Sequence, residues 1–170
     1  MTARRQENKG WWRKRAADAV FLALAVILPI GGQAARAAFT ERVVVDRNTG
    51  LAIGGYDPVA YFSDGAAIAG QEGVEASQGG AIWRFSNEAN KAFFLANPEI
   101  YAPQFGGYDP VDLARGNIVA GRAQIFLVAG RRLYLFNRPD NKITFAADPN
   151  SFARQAEQSW PTLRDTLSDY

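Results

Sequence analysis

One stretch, residues 79–108, constrains the fold more than any other part of the chain. It contains an alternating segment in which Trp83 and Phe85 fall on one face, as expected of a half-buried strand. Ser86 follows directly and is predicted to cap a helix whose apolar face includes Phe93. A helix that follows a strand so closely packs back on it, so we expect Trp83 and Phe93 to share one core.

A second feature is the hexapeptide Gly-Gly-Tyr-Asp-Pro-Val, which occurs twice, at residues 54–59 and 106–111. In each copy the aspartate can cap a helix, and the proline that follows suits the first helical position. We therefore expect Asp57 and Asp109 to be helix caps. Because the sequences around the two copies differ, local convergence on one turn explains the match better than a duplicated domain.

The rest of the chain predicts further short elements. Residues 124–129 and 133–136 are apolar runs separated by a glycine turn, which is typical of a β-hairpin. Residues 143–147 are expected to form another short strand, and Asp148 to begin a helix that Pro161 breaks. The pattern therefore predicts an α+β domain, a small antiparallel sheet with short helices packed on it.

The amino-terminal segment, residues 1–37, has the order of a secretory signal peptide. Basic residues precede an apolar run at 19–30, and small residues in an A-x-A pattern follow it. We expect cleavage after Ala37, which leaves a domain of residues 38–170 in the periplasm or outside the cell. The alternative is an uncleaved inner-membrane anchor, because the apolar segment is nearly as long as the ~20 residues that a span requires.

The charge distribution indicates what the protein does not bind. Seven of the 19 basic side chains and two of the 17 acidic ones lie before residue 38, so the remaining domain is acidic overall. A nucleic-acid-binding domain usually carries a clustered basic face. We therefore expect no nucleic-acid partner, and membrane contact only through the amino-terminal segment if it is not cleaved.

The composition also excludes much catalytic chemistry, because the chain contains no cysteine and no histidine. Without them there is no Ser-His-Asp triad, no thiol nucleophile and no disulfide. Structural zinc, blue copper and iron–sulfur sites also require thiolate or imidazole ligands. The sequence therefore predicts neither a cofactor nor a site for a soft metal.

Several of these features resemble the exported YHS-domain proteins of bacteria. Residues 55–62 and 160–163 are similar to the opening and the end of that family, and the core of the YHS pattern lies between them. Its matching positions here are Trp83, Phe85, Ser86, Asn90, Phe93, Asn97, Pro98, Glu99 and Tyr101. The resemblance implies a single YHS-like domain and a link with metals. Relatives usually carry cysteine where this chain has Asp109, so the family's redox or soft-metal role is not expected here.

Six polar and aromatic residues are the candidate ligand-binding set, because tyrosines can line a pocket with an apolar wall and a polar rim. They are Tyr56, Asp57, Tyr61, Tyr101, Tyr108 and Asp109. The alternative is that the tyrosines are core residues and the aspartates only caps. If the two turns faced each other, the aspartates could hold a hard cation, although two carboxylates supply few of the oxygens needed. Arg131 and Arg132 lie at the predicted hairpin turn and could bind an acidic partner. The alternative is that they are ordinary charged residues of an exposed turn.

The sequence thus favours a non-catalytic, periplasmic, YHS-like module that binds a small ligand or a protein partner. One alternative is a metal-binding domain that uses carboxylate and other oxygen ligands. The other is an enzyme in which a pair such as Asp57 and Asp109 acts as acid and base. No sequence feature distinguishes that pair from other carboxylates.

Overall fold

The computed structural model describes residues 42–167. The signal peptide predicted for residues 1–37, with its cleavage point, therefore lies outside the described residues. Within the described part of the chain, no helix combines the length and apolar character needed to cross a bilayer.

The described residues form an α+β domain of two antiparallel hairpins and six α-helices, which confirms the predicted class. The expected single sheet is instead two separate two-stranded sheets, β1–β2 and β3–β4. The strands are β1 (Glu75–Gln78), β2 (Ala81–Arg84), β3 (Arg122–Ala129) and β4 (Arg132–Phe136). The helices are α1 (Ala60–Ser63), α2 (Glu88–Ala96), α3 (Pro98–Tyr101), α4 (Pro110–Ala114), α5 (Pro139–Ala147) and α6 (Pro149–Asp165). Two 3-10 turns, Ile53–Gly55 and Gln104–Gly107, precede α1 and α4.

The predicted strand is β2, and its alternation is confirmed, because Trp83 and the following Phe85 are completely buried. The helix that follows has a different buried face from the one expected. Phe93 is 54% exposed, whereas Phe94 is fully buried with its ring 4.8 Å from that of Trp83. The prediction that Phe93 is buried was therefore wrong, and the buried phenylalanine is the next residue. The predicted start of the helix was wrong by one residue as well. Asn87, not Ser86, caps α2 by accepting a hydrogen bond from the Asn90 amide.

The segment after the second hairpin also differs from the prediction. Residues 143–147 belong to α5, not to a strand, since Pro139 starts a helix that buries Asn141 and Phe145 at helical spacing. Helix α6 begins at Pro149 with Asp148 as its cap, as expected, but continues through Pro161. The proline removes a hydrogen bond to the carbonyl of the exposed residue Glu157, where water can replace it. Packing of Trp160 in the core therefore outweighs the local preference.

Each copy of the hexapeptide is followed by the same sequence of structures. Tyr56 bridges Ala69, and Tyr108 bridges Ala120. The four residue pairs next to the turn have the same register in both hairpins, although β3–β4 has a register shift between Arg122 and Phe126. Each hairpin leads through a phenylalanine into a helix. Residues 85–98 and 136–149 match without a gap at Phe, Asn, Lys, Phe, Ala and Pro. The likeness of the two segments therefore extends beyond the turn itself, whereas local convergence as its origin stays a prediction. We name residues 53–97 the first repeat and residues 105–148 the second repeat.

Strand β4 of the second repeat lies between two hydrophobic cores and contributes side chains to both. Leu133 and Leu135 project into the first core with Trp83. Tyr134 and Phe136, on the other face, belong to the second core. Because successive side chains of a strand point to opposite faces, β4 is buried on both sides and holds the repeats together.

Candidate functional site

The carboxylate of Asp57 lies at the centre of the first repeat and is fully buried. One oxygen accepts a hydrogen bond from the Val59 amide at 2.9 Å, within the turn before α1. The expected helix cap is not formed, because α1 begins at Ala60 and its N-cap residue, Val59, has no side-chain capping bond. The other accepts bonds from the amide and hydroxyl of Ser86 at 2.8 and 2.6 Å and from Asn90 Nδ2 at 2.7 Å. Asp57 therefore joins the turn before α1 to the start of α2.

Asp109 does the same in the second repeat and is also fully buried. One oxygen accepts from the amides of Val111 and Asp112, at 2.9 and 3.4 Å, and so caps α4 as predicted. The other accepts from the Asn137 amide and from Asn141 Nδ2, each at 2.8 Å. We call these equivalent arrangements the first and second carboxylate locks.

The locks are built for stability, since buried charge is tolerated where hydrogen bonds satisfy it. Both oxygens of each aspartate are engaged by groups of its own repeat, and the two networks share no residue. Across residues 42–167 there is no group of three or more acidic side chains arranged to hold a metal ion. The geometry therefore assigns Asp57 and Asp109 a structural role.

The four candidate tyrosines are distributed over both cores. Tyr61 is 2% exposed, donates a hydrogen bond to the Ala123 carbonyl at 3.0 Å, and has its pKa raised by burial. Tyr56 is half-buried and accepts a hydrogen bond from Gln124, and half-buried Tyr101 packs edge-on against Phe62. Burial also raises the pKa of half-buried Tyr108, whose ring is 5.5 Å from that of Trp160. The structure does not bring these side chains together into one pocket, and their role in ligand binding stays a prediction.

Two open grooves lie instead around the tip of the β3–β4 hairpin. The larger has a volume of about 520 Å³ between that tip and the first turns of α6. The smaller, of about 340 Å³, lies between the tip and α3. Gly130 and Arg132 line both, so the grooves adjoin, and we call them together the tip groove. None of the six candidate residues lines it.

The turn at the tip contains a strained arginine. Gly130 and Arg131 have φ angles of 57° and 62°, in the left-handed region that suits a two-residue hairpin turn. The equivalent turn of the first repeat uses Gly79 and Gly80, with φ angles of 62° and 78°. Glycine adopts this conformation freely, whereas another L-residue there costs roughly 1–2 kcal/mol. Arg131 therefore occupies a position where glycine would be more favourable.

Arginines dominate the charge of the tip groove. Arg132 Nη1 is 3.2 Å from a carboxylate oxygen of Glu157 on α6. Among the described residues, neither Arg131 nor Arg154 has a carboxylate within ion-pair distance. Glu99 lines the smaller groove. The tip groove thus places three arginines beside two glutamates on an otherwise acidic domain.

Sequence reasoning identified Arg131 and Arg132 but missed the residues that α6 contributes. The wall formed by Asn150, Arg154 and Glu157 is a consequence of how α6 packs beside the hairpin. The predicted helix start at Asp148 placed these residues on one helix, since their spacing of three and four puts them on one side. Nothing in the sequence indicated which element that side would face.

Comparisons with known proteins do not extend this picture. No protein-family model, curated protein or solved structure matches the chain.

Proposed function

We propose that this chain is a non-catalytic, exported, YHS-like binding module that binds a protein partner at the tip groove. The single observation that carries the proposal is Arg131. It is exposed, it occupies a left-handed position, and no hydrogen bond or ion pair among the described residues accounts for it. Strained residues that the fold does not need are concentrated at functional sites.

The shape of the tip groove favours a protein partner over a small ligand. Sites for small molecules are concave and bury most of the ligand surface against predominantly apolar walls. Here both grooves are open to solvent, and charged side chains line them. A partner that covers the hairpin tip and the adjoining face of α6 fits this surface better.

The chemistry of the groove favours binding over catalysis. Tyr134 lines the larger groove, and burial raises its pKa, so its phenol stays protonated at neutral pH and is a poor general base. The two fully buried aspartates are committed to the carboxylate locks. No histidine or cysteine exists elsewhere in the chain to supply a base or nucleophile. No particular observation favours the carboxylate metal site, so we do not propose one.

Site-specific photo-crosslinking in the native host tests the proposed function. A photoreactive amino acid replaces Asn150, which lines the tip groove, in the full-length chain expressed with its own amino-terminal segment. The matched control is the same replacement at Asn117, an exposed residue in the loop after α4. We expect a discrete protein adduct from position 150 that is absent from position 117. The proposal fails if position 150 gives no adduct or the same adducts as position 117.

A further inference from the structure

The charges around the tip groove suggest which chemistry the partner presents. Three arginines converge on the two adjoining grooves, Arg131 in the smaller, Arg154 in the larger and Arg132 in both. The planar guanidinium group binds carboxylates through paired hydrogen bonds, in a geometry that a lysine cannot reproduce. All three cations at this groove are arginines, so the groove can bind a planar anionic group in this way.

The surrounding charge separates a carboxylate from more highly charged anions. Glu99 and Glu157 lie in the same grooves as the arginines, and the domain after residue 37 is acidic overall. A phosphate group concentrates about two negative charges at one point, so it would meet stronger repulsion than a carboxylate from the glutamate beside each arginine. A side chain with one negative charge can approach an arginine while it stays clear of the neighbouring glutamate.

The unbound protein already contains one such contact. The carboxylate of Glu157 is 3.2 Å from Arg132 Nη1, although Arg154 lies three residues earlier on the same helix. Both partners of this ion pair are about half exposed. An exposed pair of this kind contributes little to stability, so a competing carboxylate can displace Glu157 at small cost.

Together these observations lead to one inference, which rests on the proposed function. We propose that the partner presents an acidic segment whose carboxylates bind Arg131, Arg132 and Arg154, and that Glu157 competes with them for Arg132. Glu157 then acts as an internal ligand, which lowers the affinity of the free groove. The partner's carboxylates take its place when the complex forms.

Fluorescence anisotropy with a labelled decaglutamate peptide tests this inference on the domain of residues 38–170. We expect saturable binding that weakens as salt is raised, and none with decaglutamine. Arg131→Gly keeps a residue suited to the turn and should weaken binding about tenfold. Arg122→Ala removes one exposed arginine at the far end of the same hairpin and should leave binding unchanged. Glu157→Gln should tighten binding about fivefold, because it frees Arg132.

The outcomes of the two experiments separate the two proposals. If position 150 crosslinks a protein but decaglutamate does not bind, the acidic segment is wrong and the binding module stands. Equal losses for Arg131→Gly and Arg122→Ala would mean that only general charge is involved, and would also overturn the inference. An unchanged or weakened affinity of Glu157→Gln would contradict the competing role of Glu157. If the peptide does not bind and position 150 gives no adduct, both proposals fail.

Discussion

The first and second repeats are built around the same lock, and they differ in the turn and the following helix that form the tip groove. In each repeat a buried aspartate binds the residue that follows the phenylalanine at the end of a hairpin, Ser86 or Asn137, and an asparagine in the following helix. The four residue pairs next to the turn share their register, but the turn is Gly79-Gly80 in one hairpin and Gly130-Arg131 in the other. Shared features therefore account for the fold, and the residues that differ are where a function must be sought.

The helices that follow the repeats show the same contrast. The first repeat leads into α3, which has 4 residues, and the second into α6, which has 17. Part of this extra length covers the second core through Ala156 and Trp160. Another side of α6, with Arg154 and Glu157, forms a wall of the tip groove. A turn residue and a helix that are particular to the second repeat thus meet at one surface.

The largest effect is expected from removing the aromatic ring that the two repeats have in common. Phe94→Ala should lower the free energy of unfolding by about 3–5 kcal/mol, because the fully buried ring packs against Trp83 and Phe85. Phe145→Ala should cost a similar amount in the second core. Urea denaturation measures both, with Phe93→Ala as the control at about 1 kcal/mol or less, since that ring is mostly exposed. A larger loss for Phe93→Ala than for Phe94→Ala would reverse the assignment of the helix face.

The same helix shows how far the sequence could predict the structure. Alternation around Trp83 gave the correct buried face of β2, because the period of a strand fixes which side chains share a side. The buried face of α2 depends on where the helix begins, and Ser86 and Asn87 are both good caps. Asp57 binds Ser86 from 29 positions away and leaves Asn87 as the cap. No local pattern contains that contact.

The tip groove was predictable only in part for a similar reason. Arg131 and Arg132 stood out as charged residues in a predicted turn, and their place on the hairpin followed from the flanking apolar runs. The left-handed conformation of Arg131 follows from the two-residue turn. Only the comparison with Gly80 shows that the same position can be occupied by a glycine. That comparison needs the alignment of the repeats, which becomes evident when the hydrogen bonds of the two locks are superposed.

The next largest effect concerns the carboxylate locks, which are not equal. Asp57→Ala should destabilise the protein by about 2–4 kcal/mol, since several buried donors lose their acceptor. Asp109→Ala should cost less, because the Asn141 amide also donates to Asp112 at 2.9 Å and keeps that partner. In the first repeat Ala60 takes the place of Asp112, so no second carboxylate is present.

Urea denaturation at pH 7 compares the two lock variants directly. Asp57→Asn and Asp109→Asn serve as controls that keep the capping shape but direct amide hydrogens at the same donors. Both variants should therefore be less stable than wild type, whereas an aspartate that acted only as a cap would tolerate replacement by asparagine. If Asp109→Asn is neutral, the second lock contributes only its capping bond.

A smaller effect is expected at Tyr61, which makes a contact that the second repeat lacks. Its hydroxyl donates to the Ala123 carbonyl on β3, whereas the equivalent residue in the second repeat is the buried Leu113. Tyr61→Phe should cost about 1 kcal/mol at pH 7, the usual contribution of one hydrogen bond.

This contact also predicts a dependence on pH. Burial, with a contribution from the negative charge of Asp57, raises the pKa of Tyr61 above its value of 10.0 in the unfolded chain. The stabilisation of the neutral phenol is therefore complete below pH 10 and is lost as the pH rises above it. Denaturation of wild type and Tyr61→Phe at pH 7 and pH 11 should show a smaller difference, or a reversed one, at the higher pH. A difference that stays constant would mean that Tyr61 titrates equally in both states.

The smallest effect on stability is expected at Arg131 and has the opposite sign. Replacement by glycine makes the second hairpin turn resemble the first, with its glycines at φ angles of 62° and 78°. Relief of the left-handed strain should outweigh the greater flexibility of glycine in the unfolded chain and stabilise the protein by about 0.5–1 kcal/mol. Gly80→Ala is the matched reverse change and should destabilise by a similar amount, since a side chain there meets open space but an unfavourable φ angle.

Thermal denaturation of the two variants measures both changes. If Arg131→Gly lowers the melting temperature, the arginine stabilises the turn and its presence needs no functional explanation. If the Arg131→Gly variant is more stable than wild type but binds its partner less well, Arg131 contributes to binding at the expense of stability.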